Sequence, residues 1–216
     1  MDKLRLAIPI SGNGTNLQSL IDSCSDQLFP AKIVIVLSNN PQAKGLLKAG
    51  KAGIETMVIE ERCFGTQSQY DAELSKIFKT KGIDLICLAG FMRLLSKSFC
   101  TMWHNKLINI HPSLLPAFKG LNAPKQAFDA GARFSGCSVH YVRPKIDSGP
   151  VIIQAVVPIM GNDTLKSITM KILEEEHRIY PEAIRLIADK KLNIQNGKVV
   201  ITNHNYHLSS ITNPTV

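Results

Sequence analysis

Asn109-Ile110-His111-Pro112-Ser113-Leu114-Leu115-Pro116 places an amide and an imidazole two positions apart. Side chains alternate faces along an extended backbone, so the two point the same way and can act on one atom. Pro112 and Pro116 fix the chain just after them. Downstream, Asp147 opens Asp147-Ser148-Gly149-Pro150, a turn-forming segment from which a carboxylate can reach in and orient the imidazole. An amide donor, an imidazole and an orienting carboxylate suit a reaction that builds negative charge on a carbonyl oxygen while a proton moves. The competing reading makes His111 one structural histidine among six, and it leaves the Asn and the distant Asp without a packing reason.

Two other segments carry binding chemistry. Ser11-Gly12-Asn13-Gly14-Thr15-Asn16 lies between an apolar run and a helix-like stretch. There, glycines let backbone amides approach an anion and a helix N-terminus favours negative charge. It has neither the Lys of a P-loop nor the third glycine of a dinucleotide fingerprint, and a tight turn with an Asn cap fits the same residues. Leu88-Ala89-Gly90-Phe91-Met92-Arg93-Leu94-Leu95 follows another apolar run, where open α/β sheets bind ligands at the carboxyl ends of their strands. Its apolar residues could wall a flat aromatic ligand, or pack the core while Arg93 makes a surface ion pair.

Metal and thiol chemistry are not suggested. His204 and His207 have metal-like spacing but no third ligand nearby, and His104, His140 and His177 form no short paired motif with His111. The five cysteines, Cys24, Cys63, Cys87, Cys100 and Cys137, include no Cys-x-x-Cys pair, which fits a reduced, cytoplasmic chain. No targeting or membrane-spanning segment is evident. The formal net charge of +8 favours anionic partners such as phosphorylated metabolites. Lys79-Thr80-Lys81 and Lys190-Lys191 read as solvated helix ends, without the aromatic interleaving of a nucleic-acid surface.

The elements that must position these residues follow from periodicity. Apolar runs at 4–10, 32–38, 55–59 and 83–89 read as strands, and 16–24, 41–52 and 68–79 as helices between them. That alternation predicts a Rossmann-like α/β fold with a parallel sheet and helices on both faces. A short strand at 107–109 carries Asn109, and 135–142 with 151–157 form an antiparallel pair, making the sheet mixed but mostly parallel. A helix over 163–188 is capped by Asp163 or Thr164, with a kink or second helix start at Pro181. Asn196-Gly197 marks a hairpin, and 202–216 reads as a loose tail. With 216 residues, 44% of them hydrophobic and 19% charged, one domain spanning 1–216 is expected. Its parts are an anion-binding half over roughly 1–100, a catalytic half over 101–188, and a hairpin and tail over 189–216.

Four segments, Ser11 to Gln18, Leu88 to Arg93, Asn109 to Pro116 and Asp147 to Ile152, together resemble the phosphoribosylglycinamide formyltransferases, in order and approximate spacing. The resemblance spans nearly the whole chain. It implies the formyltransferase fold and transfer of a formyl group from 10-formyltetrahydrofolate to the amine of 5-phosphoribosylglycinamide, in purine biosynthesis, with no metal. It also makes Asn109, His111 and Asp147 catalytic, puts the substrate phosphate on Gly14, Thr15 and Asn16, and gives Glu176 the glycinamide. Met92, Arg93, Leu94 and Leu95 become the folate wall, with Asn109 beside it. Asn109 and protonated His111 would stabilise the formyl oxygen, while Asp147 favours the imidazolium and holds a water that relays a proton.

Two departures bear on this reading. Gln67 stands ahead of Tyr70-Asp71 where the family usually has Arg, which puts a charged folate contact in question. Leu121-Asn122-Ala123-Pro124-Lys125-Gln126 replaces a segment that commonly has histidines and leans toward relatives acting on other amines. The alternatives are therefore a formyltetrahydrofolate deformylase, a formyltransferase for another amine such as methionyl-tRNA, or a folate- or nucleotide-binding module without catalysis. Those two enzymes normally carry a further domain, for which the 216 residues leave no room. The expected partners are the two small molecules, with no nucleic acid or membrane, and the chain acting as a monomer or homodimer.

Overall fold

The computed structural model describes residues 2–202 and 211–214. Strands β1 (Leu4–Ile10), β2 (Ala31–Ser38), β3 (Glu55–Val58) and β4 (Leu85–Leu88) alternate with helices α1 (Thr15–Ser25), α2 (Lys44–Lys51) and α3 (Gln67–Thr80). After α4 (Lys97–Met102) come β5 (Leu107–His111), α5 (Ala123–Asp129), β6 (Phe134–Tyr141) and β7 (Val151–Pro158). The chain then forms α6 (Leu165–Ala188) and a hairpin of β8 (Leu192–Gln195) and β9 (Lys198–Ile201). The large sheet has the order β3-β2-β1-β4-β5-β6-β7, parallel as far as β5 and antiparallel from β5 to β7. This is the mixed, mostly parallel α/β architecture that the alternating pattern predicts.

Each face of the sheet has its own core. Leu17, Leu20 and Ile21 of α1 and Ile168, Ile172, Ile179 and Ile184 of α6 recur at helical spacing and cover one face. Leu74 and Phe78 of α3 with Phe99 of α4 and Trp103 cover the other. Ile108 and Ile110 join the α1–α6 core while Leu107 joins the α3–α4 core. Strand alternation therefore aims Asn109 and His111 at the same side as Leu107, beyond the reach of α3 and α4.

Four sequence expectations change. The strand carrying Asn109 extends through His111, because both residues pair with β6. Two short helices, α4 and α5, were not legible from periodicity. No second helix starts at Pro181: α6 runs unbroken through it. Fully buried Ile179, Tyr180, Ala183 and Ile184 on both sides hold the helix against the local cost of about 3 kcal/mol that an interior proline imposes. In the tail, Asn213 is fixed, donating from Nδ2 to the carbonyls of Arg133 and Ile159 at 2.7 and 2.9 Å. His204 and His207 lie outside the described residues. The Asn196-Gly197 hairpin forms, and Thr164 caps α6 by a reciprocal bond with Ser167.

Candidate active site

The register of β5 and β6 builds the centre of the site. Asn109 lies opposite His140 and His111 opposite Ser138, so the side chains of all four share one face. Burial lowers the pKa of His140, which keeps its ring neutral at pH 7. Its Nδ1–H donates to the Tyr141 carbonyl at 3.0 Å, leaving Nε2 as an acceptor. Asn109 Nδ2 is 3.4 Å from that nitrogen. The tautomer thereby orients the Asn109 amide: one N–H is held by His140 and the other is free for a substrate oxygen.

Asp147 joins the cluster from the turn before β7. Its Oδ2 is 3.5 Å from His111 Nδ1 and its Oδ1 is 3.7 Å from His140 Nε2. The Gly120 amide donates to Oδ2 at 2.8 Å. The turn is pressed close to β6, with the Tyr141 amide donating to Pro150 O at 2.9 Å. A Cβ on Gly149 would overlap the Tyr141 carbonyl oxygen, so only glycine lets the carboxylate approach this closely. His111 Nε2–H donates to the Phe118 carbonyl at 3.0 Å. With a carbonyl at one ring nitrogen and a carboxylate at the other, His111 has a partner for each proton of an imidazolium.

The anion loop is an immediate neighbour. Because β1 lies beside β4 and β4 beside β5, the segments that follow these strands converge at their carboxyl ends. Ser11 N donates to Gly90 O at 3.0 Å and Met92 N to Ser11 Oγ at 2.8 Å. Gly14 begins α1 in the left-handed region, φ 64°, where a Cβ would come within 2.8 Å of Gly45 Cα. Ser11 to Asn16 with Ala89, Gly90 and Met92 line a cavity of about 240 Å³. No side chain caps α1 at Gly14, which leaves its first backbone amides to an anion.

Glu176 reaches this loop from α6. Asn16 Nδ2 donates to its Oε2 at 2.8 Å across 160 residues of sequence. Burial pushes the Glu176 carboxyl from 4.5 up to about 7, with the Asn16 bond pulling the other way. Glu176 occupies the apolar stripe of α6, four residues after Ile172, and a carboxylate at such a position signals a function other than packing. The folded chain keeps this proton where the unfolded chain has lost it, so the contribution of Glu176 to stability falls as pH rises from 4.5 to about 7.

On the other side of Gly90, Met92 and Leu94 are 70% and 65% exposed, so they do not serve the core. They line a cavity of about 330 Å³ with Glu61, Gln67 and Arg93. Leu95 and Phe91 turn inward and pack against the α3–α4 core. The Arg93 guanidinium is already engaged, paired with Glu61 and stacked 4.1 Å above the Tyr70 ring. Gln67 Nε2 donates to Leu94 O at 2.7 Å, tying α3 to the exposed segment where an Arg would have projected a charge. Exposed Met92 and Leu94 beside an open cavity fit a flat apolar ring.

Sequence reasoning thus placed Asn109, His111 and Asp147 together, and the structure adds His140. Its signal was available in the alternation of 134–141, although which residue it faces depends on the register between distant strands. No group of three His, Cys, Asp or Glu among the described residues is placed to hold a metal. Burial pushes the Cys87 and Cys137 thiols well up, which removes them as nucleophiles. A His140→Ala variant is expected to lower kcat about tenfold by freeing the Asn109 amide to rotate, a loss near one hydrogen bond in the transition state. Steady-state kinetics on the folded variant check this.

The chain thus combines a seven-stranded mixed sheet with an Asn-His-Asp cluster beside the end of β5. The family model described as formyl transferase matches residues 4–184, and the chain belongs to that family. Within it, the chain is 40% identical to the phosphoribosylglycinamide formyltransferase of Escherichia coli (strain K12), over 90% of this chain and 92% of that one. It superimposes with a TM-score of 0.90 on glycinamide ribonucleotide transformylase 1 from Symbiobacterium toebii, at 43% identity, covering 92% and 94% of the two chains. It is also 42% identical, over 92% of its length, to the trifunctional purine biosynthetic protein adenosine-3 of Gallus gallus, but spans only 20% of that protein. Among the described residues no helix is long and apolar enough to cross a membrane.

Proposed function

We propose that the chain transfers the formyl group of 10-formyltetrahydrofolate to the amine of 5-phosphoribosylglycinamide, as a cytoplasmic enzyme of purine biosynthesis. One observation carries the choice of acceptor: the buried Glu176 carboxylate is bonded to Asn16 of the anion loop. An amine-accepting carboxylate and a phosphate cradle therefore stand side by side, as a phosphorylated amine requires. The exposed Met92–Leu94 wall and its cavity suit the folate ring, with Gln67 at the rim in place of a cation.

The folate, when bound, supplies a formyl carbon activated toward attack. Backbone amides from Gly14 to Asn16 hold the phosphate, and Glu176 accepts an N–H of the amine. As charge gathers on the formyl oxygen, Asn109 Nδ2 donates to it and so does the His111 imidazolium, whose Nε2–H exchanges the Phe118 carbonyl for the oxygen while Nδ1–H stays on Asp147. Asp147 steadies the imidazolium and holds the water that carries the proton from the attacking amine to the folate nitrogen, so that the formyl carbon–folate nitrogen bond breaks and tetrahydrofolate leaves. All charge stabilisation comes from the side chains of Asn109 and His111, and no step is assigned to a metal.

The test is incubation with 10-formyltetrahydrofolate, with and without 5-phosphoribosylglycinamide, following tetrahydrofolate release. Release that requires the amine is expected. Folate turnover that ignores the acceptor would assign a hydrolase instead. Because an ionised Glu176 accepts an N–H more strongly than the protonated acid, KM for the amine substrate is expected to fall as pH rises through about 7. A Glu176→Gln variant should lose that dependence, and KM profiles of the two proteins check it.

A further inference from the structure

The loop that follows His111 is held from a distance by two side chains outside the catalytic cluster. Ser138, fully buried and paired with His111 across the β5–β6 ladder, donates its hydroxyl to Ser113 O at 2.6 Å. The Ser138 hydroxyl oxygen accepts from Leu115 N at 3.1 Å and from Gln154 Nε2 at 2.8 Å. Gln154, on the neighbouring strand β7, also donates to Leu115 O at 3.0 Å. Ser113 passes the constraint onward, its own hydroxyl donating to Ala117 O at 2.7 Å. The next residues supply the Phe118 carbonyl to His111 and the Gly120 amide to Asp147.

We infer that Gln154, acting through Ser138 and Leu115, is a positioning residue that sets where the loop presents Phe118 and Gly120 to His111 and Asp147. This rests on the formyl-transfer reading for its kinetic consequence and on geometry alone for its structural one. The side chain of Gln154 hydrogen-bonds Leu115 and Ser138 and none of Asn109, His111, His140 or Asp147, and its residue is exposed on β7. An exposed glutamine that bonds only solvent would be expendable. This one joins two strands and a loop through a single amide nitrogen, and the hydroxyl it meets has all its hydrogen-bonding capacity in use. A loop tied at Ser113 and Leu115 keeps the Phe118 carbonyl in one place. A loop released there lets it wander, and the His111 ring loses its fixed orientation.

The experiment compares wild type with Gln154→Met, which keeps the side-chain length but donates nothing, and with Ser138→Ala, which removes the hub. Two readouts are taken on each folded protein: steady-state kinetics with both substrates varied, and the NMR resonance of the His111 Nε2–H proton. Gln154→Met is expected to lower kcat about tenfold with both KM values within about twofold, the size of one lost orienting contact. The His111 Nε2–H resonance should shift or broaden in both variants. Unchanged kcat with the resonance in place would overturn the inference, as would a fall in kcat that tracks only a lower unfolding midpoint. If wild type itself shows no formyl transfer, the proposed reaction fails, while the resonance still decides whether Gln154 positions the loop.

Discussion

His111→Ala is expected to lower turnover by about 100- to 1,000-fold, the usual cost of losing one donor aimed at developing negative charge. The fold should persist. His111 closes the end of β5, and its main-chain pairing with Ser138 does not depend on the ring. The anion loop and the Met92–Leu94 wall are built without the imidazole, so KM for both substrates should change far less than kcat. Asn109→Ala belongs to the same class, because in the proposed reaction its second amide hydrogen donates to the same oxygen. The two losses should be less than additive, since both donors serve one atom. Kinetics on the two single variants and the double variant, with circular dichroism to confirm folding, check this.

Asp147→Asn has the second large expected effect, a fall of at least about 100-fold in kcat. The carboxylate has two tasks in the structure. It faces His111 Nδ1 at 3.5 Å and accepts the Gly120 amide at 2.8 Å. An amide keeps the shape and one acceptor for Gly120, but it supplies no negative charge to hold an imidazolium. Steady-state kinetics of the folded Asp147→Asn variant beside wild type make the comparison, and an unchanged kcat would count against the role.

The sequence made local features legible and concealed those set by long-range pairing. The apolar runs at 4–10 and 32–38, the capped helix start at Thr164 and the Asn196-Gly197 turn are each written in a few adjacent residues. Asn109 and His111 could be placed on one face because strand alternation is local. His140 faces Asn109 only through the β5–β6 register, which no short window encodes. Glu176 follows Glu174 and Glu175, and only the family resemblance singles it out; the α6 stripe shows that it is the buried carboxylate of the three. The helices Lys97–Met102 and Ala123–Asp129 are too short to establish an apolar period. Arg93 could be placed in the Gly90 segment, but the stack on Tyr70 and the pairing with Glu61 arise from tertiary packing.

Gln67 is now a bonded residue rather than a missing charge. Its amide holds the Leu94 carbonyl and so supports the wall that the ring of the folate would meet. The segment from Leu121 to Gln126 contributes through the Gln126 side-chain amide instead of histidines. Gln126 Nε2 donates to the carbonyls of Lys119 and Leu121, which steadies the stretch next to Gly120.

The central claim is that Asn109 and His111 together hold the oxygen of the transferred formyl group. A crystal structure with a stable formyl-folate analogue and 5-phosphoribosylglycinamide bound measures this directly. The account predicts the formyl oxygen within about 3 Å of both Asn109 Nδ2 and a His111 ring nitrogen, with His140 still on the Asn109 amide. A complex in which the oxygen lies out of hydrogen-bonding reach of both side chains, with His111 Nε2 still donating to Phe118, would contradict it.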